Sequence, residues 1–191
     1  MSRAPASTES ILRHWREAVP NDRLAHLVKD ATRALVRALQ MRLAEHGVSF
    51  GHWTFLRILW EGDGLTQRAL SEQAGVMEPT TFSALKAMEK RGYISRQQRS
   101  GDRKKVYIVL TPKGRALRKH LVPLAEAVNS VAVRGVKPAD IAITRTVLLA
   151  IIENMAADEQ RAGMRMPSTR ELGRLDPPKR SRPRKRTPQR R

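Results

Sequence analysis

The chain has no cysteine in its 191 residues, which excludes disulfides, thiolate zinc sites and sensing by thiol oxidation. Aromatic residues are scarce at 4%, so a core must be filled mainly by Leu, Ile, Val and Met, as suits a helical protein. Acids are few: 18 Asp and Glu stand against 37 Lys and Arg, a formal net charge of +19 with a pI of about 11.5. No apolar run approaches the roughly 18–20 residues that span a bilayer, and the opening MSRAPASTES lacks the apolar core of a signal peptide. A cytoplasmic protein with no membrane partner is therefore expected. The five histidines (His14, His26, His46, His52, His120) show neither H-x-x-x-H nor H-E-x-x-H spacing, so no metal site is expected. A P-loop, a G-x-S-x-G elbow and a dinucleotide fingerprint are also missing, which argues against an enzyme and against any cofactor.

What is present is positive charge on a chain with a core. Forty per cent of the residues are apolar, enough to fold, and the charge points to a polyanion, nucleic acid before a membrane surface. Residues 161–191 hold 12 of the Lys and Arg and only 2 acids. That stretch ends PPKRSRPRKRTPQRR and carries little apolar surface to bury, so it reads as a disordered basic tail that binds phosphate without reading sequence. Residues 1–20 read as an N-terminal arm, and residues 21–160 as the folded domain.

Within that domain, residues 22–46 place Leu24, Leu27, Val28, Ala31, Leu35, Leu39 and Leu43 on one helical stripe, with Asn21 or Asp22 as cap and Gly47 as stop. A second helix is expected over 51–61. Thr66 then reads as an N-cap for a helix ending at Gly75, and Pro79 as a first-turn proline of the next, which buries Thr81, Ala84, Leu85 and Met88 before Gly92. Two short helices joined by a tight turn make a helix-turn-helix, whose second helix enters the major groove. Tyr93–Arg96 and Val106–Leu110 are short β-prone runs around QQRSGDRKK, with Ser100–Gly101 as the turn. A hairpin in that position is a wing, and its tip holds Arg99, Arg103, Lys104 and Lys105 beside a single acid, Asp102. Thr111 and Pro112 open a further helix to about Arg134, with Pro123 as an internal kink point. A last helix covers 138–157, more apolar than one monomer needs.

The fold class is thus mainly α with a small β-hairpin wing (α+β). LTQRALSEQAGV, LKAMEKRGYI and GDRKKVYIVLTPKG, in that order, resemble the MarR (multiple antibiotic resistance regulator) family of winged helix-turn-helix transcription factors, over roughly residues 22–157. The resemblance implies dimerisation helices at about 22–46 and 112–157 and a winged domain at about 51–111. It also implies a homodimer on a pseudo-palindromic operator in double-stranded DNA, with half-sites roughly 10 bp apart. The family shows a wing arginine two positions after the aspartate, and this chain has Lys104 there with Arg103 between. Between these two, the planar fork favours Arg103 for the minor groove. By the same resemblance, Asp102 orients the basic side chain from within the wing.

The expected DNA-binding residues are therefore Thr66, Gln67, Arg68, Pro79, Thr80, Phe82, Ser83, Lys86, Arg99, Asp102, Arg103, Lys104 and Lys105. Thr80, Ser83 and Lys86 suit phosphates or base edges, although a solvated helix face carries the same residues. Phe82 suits a thymine methyl or packing on the preceding helix. Arg68 sits where exposed helix amides favour a phosphate. Many members of the family respond to small aromatic or phenolic carboxylates. For such an effector the candidates are Arg16, His46, His52, Trp53 and Trp60, set against a plain core role for the aromatics. The leading function is a dimeric, sequence-specific regulator, in its usual form a repressor relieved by a small ligand. The alternative is a nucleoid-associated or architectural protein that binds DNA through its tail.

Overall fold

The computed structural model describes residues 7–17, 24–99 and 102–163, with Arg99, Asp102, Arg103 and Lys104 as backbone only. Seven helices and a three-stranded sheet follow one another along these residues: α1 (Thr8–Glu17), α2 (Leu24–Glu45), α3 (Phe50–Glu61), β1 (Leu65–Thr66), α4 (Gln67–Ala74), α5 (Glu78–Lys90), β2 (Ile94–Arg99), β3 (Asp102–Leu110), α6 (Pro112–Ala132) and α7 (Pro138–Ala162). Asn21 and Asp22, the expected caps of α2, and the turn residues Ser100 and Gly101 lie outside the described residues, as do residues 164–191 of the basic tail. The last helix runs five residues past its expected end at 157, to Ala162.

Local chemistry explains where the helices start and stop. The Ser49 and Thr66 hydroxyls accept the His52 and Ala69 amides at 3.2 Å each, and the Thr111 hydroxyl accepts the Gly114 amide at 3.0 Å. Each occupies an amide that the first helical turn leaves without a partner. Gly75 ends α4 at φ +63°, a left-handed conformation that glycine adopts without penalty. Pro123 leaves α6 unbroken as a helix.

Chain separation falls into two units, residues 1–143 and 144–191. The first unit is organised around α3. Trp53, Phe55, Leu56, Ile58 and Leu59 are buried there, together with Leu39 and Leu43 of α2, Leu70 of α4, Leu85 and Met88 of α5, and Leu121 of α6. The sheet has the order β1-β3-β2, all antiparallel. Ile94 pairs with Leu110 and Gln98 with Val106, with a register shift between Gln98 and Arg99. The outer strand β1 was not expected from the sequence: Leu65 and Thr66 pair with Ile108 and Tyr107, which ties the start of the helix-turn-helix to the wing. The second unit holds the rest of α7. No residue of α7 is buried, and no helix among the described residues is long and apolar enough to cross a membrane.

Candidate nucleic-acid interface

The helix-turn-helix is held at a fixed angle by two buried hydroxyls. Ser71 of α4 and Thr81 of α5 lie 2.9 Å apart and share a hydrogen bond, with Thr81 fully buried and Ser71 nearly so. Leu70 of α4 and Leu85 and Met88 of α5 are fully buried in the same core cluster. Because this face of α5 is committed to the core, its opposite face carries Pro79, Thr80, Ser83 and Lys86, all exposed. The Ser83 hydroxyl donates to the Pro79 carbonyl at 3.0 Å, leaving its oxygen able to accept. Phe82 is 47% exposed, so it does not pack away on the preceding helix.

At the start of α4, the Thr66 oxygen is used as the cap and Gln67 is half-buried. Arg68 is exposed and bonded to Glu72 one turn on, at 2.9 Å. That hydrogen bond raises the guanidinium pKa above its ordinary value, with the charges of Glu72 and Glu78 adding to it. A phosphate would have to exchange with Glu72 for this side chain.

The hairpin rises next to α5, and strand alternation governs what it presents. Ile94 is buried, so the parity of β2 turns Arg96 toward the same side. There its guanidinium lies 5.6 Å from the centre of the Phe82 ring, and its Nε is 3.1 Å from the Glu89 carboxylate. Sequence reasoning missed Arg96. The available signal was its parity with Ile94, which places a cation on the helix-facing side of a strand. At the tip, Lys105 is exposed. Arg99, Asp102, Arg103 and Lys104 lie in the strands, and their side chains fall outside the described residues.

The base of the wing is fixed from the other side by Asp63. Its carboxylate accepts the Leu110 amide at 2.9 Å and the Gly64 amide at 3.0 Å, and pairs with Arg115 of α6. Behind the wing, the Trp60 indole donates to the Gly114 carbonyl at 3.0 Å.

The residues considered for an effector lie on α1 (Arg16), just past the end of α2 (His46) and on α3 (His52, Trp53 and Trp60). Arg16 is exposed on α1, where neighbouring Trp15 donates to Asp30 of α2 at 3.1 Å. That contact holds the Asp30 carboxyl below its ordinary pKa. His46 is exposed, its ring stacked 6.5 Å from His120. Trp53 is buried and meets Trp60 edge-on at 5.7 Å. His52 is buried against Tyr93, with its Nδ1 unpartnered. Burial, and secondarily the charge of Arg91, push its pKa down. Both causes favour the neutral ring. No group of three or more potential metal ligands occurs among the described residues.

The MarR family profile matches residues 48–106, from the turn before α3 through the helix-turn-helix into the wing. The crystal structure of the transcriptional regulator PA3341 superposes with a TM-score of 0.64 at 30% identity, over 71% of this chain and 99% of that one. TtmR, a helix-turn-helix regulator of Methylorubrum extorquens, is 31% identical over 98 residues, which is 51% of this chain and 50% of TtmR. The chain thus spans half the length of that curated relative. A MarR-family regulator from Listeria monocytogenes, crystallised with a 26-mer DNA, shares the fold with a TM-score of 0.66 at 24% identity, over 76% of this chain and 99% of that one. With the profile seated on the helix-turn-helix and wing just described, and the same architecture in solved regulators, the chain belongs to the MarR family of transcriptional regulators.

Proposed function

We propose that this protein is a homodimeric, sequence-specific DNA-binding regulator. In this reading it acts as a repressor on a pseudo-palindromic operator and is released by a small ligand. The observation that carries the reading is the exposed face of α5 beside a basic hairpin. Thr80, Phe82, Ser83 and Lys86 offer hydrogen bonds, an apolar contact and a charge to a groove. The wing offers Lys105 to the adjoining backbone, and the sequence of its tip adds Arg99, Arg103 and Lys104 to the charge available for the minor groove. Dimerisation supplies the second half-site, and the exposed apolar residues of α2 and α7 are the surfaces offered for it. An aromatic carboxylate is the ligand class we assign to the effector, with Arg16 as its charge partner.

The test is fluorescence anisotropy at several salt concentrations, with full-length protein and a chain ending at Gly163. Each is titrated with the promoter duplex beside its own gene and with a scrambled duplex. A preference of about 10³ or more for the promoter that survives truncation is the expected outcome. Equal binding to both duplexes, lost with the tail, would replace this reading by an architectural one.

A further inference from the structure

We propose that Arg96 is a positioning residue that presents Phe82 to the 5-methyl group of a thymine at the border between recognition helix and wing. This rests on the DNA-reading function above and names what one part of the interface recognises. Phe82 and Glu89 are seven residues apart on α5, two helical turns, and so lie along one edge of the helix. It is the edge nearest β2, because Arg96 reaches both of them. The guanidinium carbon lies over the Phe82 ring, 5.6 Å from its centre, and its Nε is engaged by Glu89 at 3.1 Å. This fork geometry is one that lysine cannot reproduce.

Two features separate this arrangement from an ordinary phosphate contact. Arg96 is neutralised by Glu89, so the pair brings no net charge to the duplex. Without Arg96, the carboxylate of Glu89 would stand unpaired beside a polyanion. The second feature is the ring itself, which is 47% exposed while held in place from the β2 side. A fixed, exposed aromatic at the rim of a major-groove helix offers no hydrogen bond to a base edge. It suits the one apolar group displayed there, the thymine methyl. Arg96 joins wing and helix through this ring, so wing position and methyl contact are set together.

The experiment uses full-length protein and a duplex selected by it from a random library. Each thymine in that duplex is replaced in turn by deoxyuridine, which removes only the methyl. At one thymine per half-site, wild-type affinity should fall about fourfold, the weight of one buried methyl. Phe82→Ala and Phe82→Leu should bind more weakly and lose that discrimination. Arg96→Lys, and Arg96→Ala combined with Glu89→Gln so that the local charge stays neutral, should shrink it to less than twofold with the salt slope unchanged. Arg96→Lys and Phe82→Leu are the variants that keep the measurement interpretable if alanine disturbs the fold. Full thymine discrimination in the Arg96 variants would overturn the proposal. So would a uniform weakening with the salt slope reduced by about one, which marks a phosphate clamp. A flat deoxyuridine scan in the wild type overturns this inference alone. Failure to select any preferred duplex overturns the DNA-reading function and this inference with it.

Discussion

At the scale of single residues, Gly114 is the position with least room. A methyl group placed there would stand 2.0 Å from the Tyr93 carbonyl oxygen and 3.1 Å from the Leu110 side chain. The obstruction is backbone, so it cannot rotate away. The crowding is useful, because it lets the start of α6 sit directly on the root of the hairpin. There Thr111 also donates to the Gly92 carbonyl at 2.6 Å, and Trp60 bonds to the Gly114 carbonyl. Gly114→Ala should therefore lower stability by about 1–3 kcal/mol or more, read from the urea midpoint. Gly62→Ala is the matched control, since nothing lies within 4 Å of its added methyl and its backbone is extended at φ −149°. Equal midpoints for the two variants would show that the hairpin root is not packed as described.

Between elements, the Ser71–Thr81 hydrogen bond holds the recognition helix against its partner. Thr81→Val keeps the shape of the side chain and removes the hydroxyl. It should cost about 1–2 kcal/mol, because the Ser71 hydroxyl is left buried with one partner fewer. Adding Ser71→Ala should return part of that loss, since removing both polar partners leaves nothing unsatisfied. A double-mutant cycle in urea measures this coupling, and strictly additive losses would remove the bond from the account. This is also the scale at which sequence reading stopped. The caps at Thr66 and Thr111 and the turn at Gly75 were readable because each depends on chemistry within four residues. The strand at Leu65–Thr66 was not, since two residues cannot display alternation. Neither the Ser71–Thr81 bond nor the contact of Arg96 with Phe82 was readable, because both depend on how separate elements cross. The recognition face of α5 could be read from periodicity. The sequence could not say whether Phe82 on its edge was packed or presented.

For the whole molecule the question is what covers the exposed apolar residues of α7 and those of α2. In α7, Ile143, Val147, Leu148, Leu149, Ile152 and Met155 are 38–64% exposed. In α2, Leu24, Leu27, Leu35 and Met41 are 39–56% exposed. Single exposed apolar residues are ordinary on protein surfaces, but a run of this kind marks an interaction surface. A second copy of the chain is the occupant that would also supply a second recognition helix, and two-fold symmetry would match it to a pseudo-palindrome. Ile152 is 64% exposed, so Ile152→Glu leaves the core of the first unit untouched. It places a charge where a partner would have to desolvate it, at a cost of several kcal/mol. Sedimentation velocity should find the wild type as a dimer and Ile152→Glu, or Val147→Glu with Ile152→Glu, as a monomer of unchanged helicity. The monomer should keep weak, salt-sensitive binding to any duplex and lose its preference for the promoter, since one half-site supplies only part of the discrimination. A variant that stays dimeric would move the interface off this face of α7, and a monomeric wild type that still prefers the promoter would dispense with the dimer altogether.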